Sequence, residues 1–140
     1  MIQVPAAILD TDVFSLVYVT RKAQDPRVAA WRVLLRERRV LIAFQTRAEV
    51  LEGALERGWG PRRMQATRQV LNETPTIPPD DTAIDAYAEL TAACRRAGHA
   101  LRDRRHTADR WVAACAIATG IPLLSGDAIY RNAPNLTLLN

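Results

Sequence analysis

Four carboxylates, Asp10, Glu49, Asp109 and Asp127, each stand where a run that reads as a strand or helix meets a loop, with apolar residues beside them. Pro5-Ala-Ala-Ile-Leu-Asp10-Thr-Asp12 reads as a short buried strand that stops at an acid, the usual place for ligand groups in an open α/β sheet. Ile121-Pro-Leu-Leu-Ser-Gly-Asp127 has the same form. If these two strands are parallel neighbours, Asp10 and Asp127 face each other across one sheet edge, which Glu49 and Asp109 enter from helix starts. Four acids at close range raise one another's pKa and cannot all ionise without a cation. A hard divalent ion with oxygen ligands, magnesium or manganese, resolves that conflict, and hydrolysis of a nucleic-acid phosphodiester fits the arrangement.

Taken singly, each acid also has a structural reading. Asp10 fits a helix cap, Asp109 the start of its helix, Glu49 one arm of an exposed ion pair with Arg47 or a neighbour of Arg57, and Asp127 a turn residue after Ser-Gly. The joint order of the acids along the chain is what favours a site. His99 and His106 lie seven apart in a polar loop, without the register that zinc ligation normally shows. Cys94 and Cys115 fall inside helical apolar patterns and read as core.

The elements that must position the acids alternate. After the first strand, Val13–Thr20 reads as a short helix and Asp25-Pro26 as the capped start of a helix over Pro26–Arg38. A buried strand is expected at Val40–Ala43, then helices over Gln45–Arg57, Pro61–Asn72 and Asp80–Arg96, with a brief extended piece at Thr76–Pro78. Gly98–Thr107 is a polar, arginine-rich loop; the helix Ala108–Thr119, the strand Ile121–Leu124 and a last strand Leu136–Leu139 complete the chain. This alternation implies an α/β fold with a mostly parallel central sheet flanked by helices.

A chain of 140 residues with 49% hydrophobic content suits one domain, residues 1–140, with a core of its own. No apolar run approaches the ~20 residues that span a bilayer, and Met1-Ile-Gln-Val-Pro-Ala-Ala lacks a basic leader region, so a soluble, cytoplasmic protein without membrane association is expected. The net charge of +4 matters more than its size suggests, because four acids gathered in one place leave the remaining surface more basic still and suited to polyanions. Every basic residue except Lys22 is arginine, which favours bidentate phosphate contacts but also follows from GC-rich coding.

Four stretches in this order resemble the PIN domain family, and more narrowly the VapC-type toxins of bacterial toxin–antitoxin pairs. They are Ile8-Leu9-Asp10-Thr11-Asp12, Thr46-Arg-Ala-Glu49-Val-Leu-Glu-Gly53, Asp109-Arg-Trp-Val-Ala-Ala114 and Ile121-Pro-Leu-Leu-Ser-Gly-Asp127, together spanning almost the whole chain. The resemblance implies a PIN-like three-layer sandwich and a magnesium- or manganese-dependent endoribonuclease that cleaves RNA with a metal-activated water. Asp10, Glu49, Asp109 and Asp127 would be catalytic acids and metal ligands, and Thr11 and Ser125 would support them. Asp12 departs from the commoner neutral residue and fits a supporting hydrogen-bonding role better than a fifth ligand. A small antitoxin lying across the active-site groove and a homodimer are implied by the same resemblance. Arg102, Arg104, Arg105 and Arg110 gather around Asp109 and are expected either to grip the RNA backbone at the pocket rim or to form a solvated loop paired with Asp103 and Asp109.

Three other readings stand beside this one. A haloacid-dehalogenase-like phosphatase would use Asp10 in Asp10-Thr-Asp12 as nucleophile, but it needs a lysine well downstream, whereas the sole lysine is Lys22, and Asn132 stands where a further acid would be wanted. A PIN-like domain could instead process RNA outside a toxin system, or bind RNA without cutting it; four intact acids argue against a dead site.

Overall fold

The structure is a computed structural model that describes residues 4–140; the Met1-Ile-Gln part of the segment read as lacking a leader lies outside the described residues. Four strands, β1 (Ala6–Leu9), β2 (Arg39–Ala43), β3 (Thr76–Ile77) and β4 (Leu123–Leu124), form one all-parallel sheet in the order β3-β2-β1-β4. β1 pairs β4 with Ile8 opposite Leu123 and Leu9 opposite Leu124, so the condition for Asp10 and Asp127 to share a sheet edge, that their strands be parallel neighbours, is met.

Strand alternation sends side chains to two cores, one on each face of the sheet. Ala7, Leu9, Ile42 and Leu124 point to the first, which is covered by α1 (Thr11–Phe14), α2 (Pro26–Leu34), α3 (Phe44–Glu56) and α4 (Pro61–Glu73). Ile8, Ala43, Ile77 and Leu123 point to the second, covered by α5 (Asp81–Ala97) and α6 (Thr107–Thr119). Cys94 and Cys115 are buried on that second side. The result is the expected three-layer α/β sandwich. Among the described residues no helix is long and apolar enough to cross a membrane.

Several boundaries move for local reasons. The first helix starts at Thr11, because Asp10 caps it, and widens into a π turn at Ser15–Val19 closed by Thr20 N–H to Ser15 O at 2.8 Å. α2 stops at Leu34, four residues short of Arg38, as Glu37 turns to φ 63°. The expected strand from Ile121 shortens to Leu123–Leu124, since Pro122 has no N–H to give to a ladder. The expected last strand reduces to one parallel bridge, Leu123 with Leu138. The arginine-rich loop is two 3₁₀ turns, Ala100–Arg102 and Arg104–His106, capped by the side chains of His99 and Asp103.

Candidate acidic site

β1 and β4 end side by side, and this places two acids. Asp10 follows β1 directly; its N–H donates to Leu124 O at 3.1 Å, and its Oδ1 accepts the Val13 N–H at 3.0 Å as the cap of α1. The cap reading and the site reading of Asp10 are therefore compatible. After β4 the chain turns through Ser125 and Gly126 to Asp127, which caps a 3₁₀ turn (Ala128–Tyr130) by accepting the Ile129 N–H at 3.0 Å. The Ser125 hydroxyl donates to Asp10 Oδ2 and accepts the Asp127 N–H at 2.9 Å, so one side chain fixes both acids. Gly126 makes a tight approach: a Cβ there would lie 3.1 Å from Cζ2 of the buried Trp31, so the ring would have to give by a few tenths of an ångström.

Glu49 is in the second turn of α3, where Gln45 Nε2 donates to its Oε1 at 3.1 Å. The alternative ion pair with Arg47 is not formed, because Arg47 turns away to Leu71 O (2.9 Å) and Asn72 Oδ1 (2.6 Å). Thr11 donates to the buried Thr46 hydroxyl at 3.2 Å, which ties α1 to α3 beneath this acid. Asp109 occupies the first turn of α6. Its Oδ1 accepts from Tyr130 Oη at 3.3 Å and its Oδ2 from His106 Nδ1 at 2.9 Å; since a carboxylate only accepts, that ring nitrogen carries the proton.

Asp10, Glu49, Asp109 and Asp127, drawn from four separate stretches of chain, line one cavity of about 70 Å³ together with Thr11, Asp12, Val112 and Tyr130. No Lys, Arg or His lines it. Burial pushes the Asp10 carboxyl up to about 6; the hydrogen bonds from Ser125 and Val13 oppose the rise, and the negative charges of Asp12 and Asp127 add to it. Burial, with the charges of Asp109 and Asp10, likewise drives the Tyr130 phenol far above its ordinary range, so it stays a donor.

Among the described residues no three Asp, Glu, His or Cys side chains close on a common point, so the acids stand around the cavity and not at ligand distance within it. Their chemistry nonetheless fits a hard divalent cation: every polar side chain lining the cavity offers oxygen, no basic side chain among the described residues lines it, and burial raises the Asp10 carboxyl despite two donors.

Two residues of this neighbourhood escaped the sequence reading. His106 lies three residues before Asp109 at a helix start, a local spacing that gives a signal in principle. Tyr130 reaches Asp109 from an irregular turn, for which periodicity offers none.

The arginines divide. Arg110 is not at a rim: it is 5% exposed, and its guanidinium donates to Leu101 O, to Asp103 O at 2.8 Å and to the Tyr87 hydroxyl at 3.1 Å. Helical geometry turns the position after Asp109 inward against α5, so Arg110 holds the 3₁₀ turns in place. Arg102 folds back on Gly98 O (2.7 Å) and His99 O (3.1 Å), and Arg105 stands 3.8 Å from Asp103. Arg104 is exposed; none of the four lines the acidic cavity. His99 accepts from the Leu101 N–H through Nδ1, so its Nε2 carries the proton given to Arg131 O at 2.7 Å.

The architecture has solved counterparts. VapBC2 from Rickettsia felis, crystallised with a DNA fragment from its promoter, matches with a TM-score of 0.75 at 20% identity over 95% of this chain and 96% of that one. FitAcB from Neisseria gonorrhoeae gives 0.72 at 21% over 96% of each chain. VapBC-5 from Mycobacterium tuberculosis, a member of the VapBC family of toxin–antitoxin systems, gives 0.67 at 25% over 97% and 99%. No curated protein matches in sequence. The family model described as PIN domain matches residues 7–136, a span that includes every residue lining the acidic cavity, and the chain belongs to the PIN domain family.

Proposed function

We propose that the protein is a magnesium- or manganese-dependent endoribonuclease and the toxin of a VapBC-type toxin–antitoxin pair. The observation that carries this reading is the convergence of Asp10, Glu49, Asp109 and Asp127 on one cavity that no basic side chain lines. These four would hold the ion. When bound, it supplies acidification of a water and neutralisation of charge on the phosphate oxygens.

The chain's own groups keep the acids in place. Ser125 fixes Asp10 relative to the Asp127 turn; Tyr130 and His106 hold the two oxygens of Asp109; Gln45 steadies Glu49. Such outer hydrogen bonds set ligand orientation before the substrate arrives. Asp12 lines the cavity without displacing the four and adds negative charge beside Asp10, a supporting role. No protein nucleophile is needed. The phosphatase alternative is disfavoured by Asp10 itself, whose two oxygens are both engaged, and by Lys22, which does not line the acidic cavity.

The VapBC likeness supports an antitoxin partner; in this reading the antitoxin inhibits by covering the acids, with a basic side chain of its own reaching them, and the toxin is a homodimer. Incubating the purified chain with total RNA, in manganese and in chelator, and sequencing the ends tests the nuclease reading. Discrete new ends in metal alone are expected; intact RNA in both contradicts it.

A further inference from the structure

A second cavity adjoins the acids. Thr11, Asp12 and Glu49, which line the acidic cavity, also form one wall of a groove of about 620 Å³, within the ~300–1,000 Å³ range of pockets that take a drug-sized ligand. Away from that shared wall the groove changes sign. Lys22, Arg57 and Arg63 line it, all exposed, and among the described residues none of them is in an ion pair; Arg27 lines it too but is paired with Asp25 at 2.8 Å. Between the cations sits Trp59, with the Arg63 guanidinium 3.6 Å over its ring and that of Arg57 at 5.9 Å.

The platform is held by the backbone. Trp59 lies in the turn between α3 and α4, where Gly58 takes φ 65°, the Trp59 N–H donates to Ala54 O at 3.2 Å, and Pro61 opens α4. Arg63 is exposed and Trp59 half-buried, and guanidinium and indole groups are both surfaces on which unpaired bases stack. Unpaired cations, an aromatic–arginine stack and a shared wall with the acids are what a single strand needs when one of its phosphates must reach a catalytic cavity. A duplex would keep its bases stacked inside.

We propose that this groove seats the single-stranded RNA next to the cleaved bond, with the Arg63–Trp59 stack receiving a splayed base and Lys22 and Arg57 meeting phosphates. The proposal rests on the nuclease reading and names the strand path for that site. It moves the path from the Arg102–Arg105 turns to the groove that shares Thr11, Asp12 and Glu49 with the acidic cavity.

The test uses the full chain carrying Asp10→Asn, in chelator, with labelled single-stranded RNA of mixed sequence and an abasic strand of the same length. Trp59→Ala and Arg63→Ala are each expected to weaken binding of the base-containing strand by about 5- to 150-fold, with little effect on the abasic strand, while Trp59→Phe keeps most of the affinity. Arg57→Ala is expected to lower the slope of log affinity against log salt by ~0.7, and Arg104→Ala to leave it unchanged. Trp59→Ala and Arg63→Ala with parental affinity for both strands overturn the proposal and leave the groove to a peptide partner. No measurable binding by the parent overturns it as well. Metal-dependent cleavage by the unmutated chain is scored separately, so cleavage with unaffected groove variants removes the strand path and leaves the nuclease standing.

Discussion

Ser125 donates its hydroxyl to Asp10, 115 residues away in sequence, and takes the Asp127 N–H on the same oxygen. One half-buried side chain thus sets the spacing of two acids that arrive on neighbouring strands. Ser125→Ala is expected to lower cleavage by about tenfold or more while costing only ~1 kcal/mol of stability, the worth of a typical hydrogen bond. Ser125→Thr keeps the hydroxyl and should recover most of the activity. Comparing both variants by single-turnover cleavage and by thermal melting checks the split.

The raised pKa of Asp10 makes its ionisation a cost to folding. Its folded value of about 6 lies above the ordinary carboxyl value of 3.8, so between about pH 4 and 6 the folded state binds the extra proton and stability falls as pH rises. Above pH 6 the penalty from this group is complete, at roughly 3 kcal/mol. In chelator at pH 7, Asp10→Asn should therefore melt higher than the parent, with the difference fading below pH 4. Manganese should raise the melting temperature of the parent and much less that of the variant. Equal melting of the two at pH 7 in chelator would sink this account of Asp10.

His106 is expected to act through Asp109. Removing a group that orients a metal ligand typically costs 10- to 100-fold in metal affinity. His106→Ala should shift the manganese dependence of the melting temperature by that factor, and His106→Asn, which can still donate to Asp109 Oδ2, should shift it less. A manganese titration indistinguishable from the parent's would remove His106 from the site.

Gly126 and Trp31 offer a packing test. A methyl group at 126 meets the Trp31 ring at 3.1 Å, so Gly126→Ala should cost about 1–3 kcal/mol and displace the turn that carries Asp127. Trp31→Phe in the same chain relieves the contact. The double variant should be less destabilised than the two single costs added together, a coupling that chemical denaturation can measure.

How much of this was legible depended on whether a signal was local. Asp10 and Asp127 stood out because each ends an apolar run, and strand alternation then fixes which face their neighbours enter; that β1 and β4 lie side by side is settled by the sheet order, which the runs themselves leave open. Glu49 and Asp109 needed their order relative to the other two, since a single acid near a helix start has an ordinary structural use. Arg110 was misread because sequence adjacency to Asp109 says nothing of direction: one step along α6 rotates a side chain by about 100°, here from the cavity into α5. Tyr130 and the Trp59 groove depend on turns that join distant segments, where no period exists to be read.

Arg110 carries its own prediction. Its guanidinium satisfies the carbonyl of buried Leu101 and that of Asp103, so Arg110→Ala strands Leu101 O, frees Asp103 O and should cost about 2–4 kcal/mol. Arg104→Ala, at an exposed position, should fall within ~0.5 kcal/mol of the parent. Urea unfolding of the two variants separates a buried strut from a surface charge.

The central claim is that the four acids form a metal-dependent centre for RNA cleavage, and Asp109→Asn tests it most directly. The substitution keeps the shape and an acceptor for Tyr130, and removes one charge from the cavity. Single-turnover cleavage of one defined RNA in manganese should fall by at least ~100-fold in Asp109→Asn, with an unchanged circular dichroism spectrum, and should vanish for the parent in chelator. Cleavage by Asp109→Asn at close to the parental rate, or parental cleavage that persists without metal, would contradict the account.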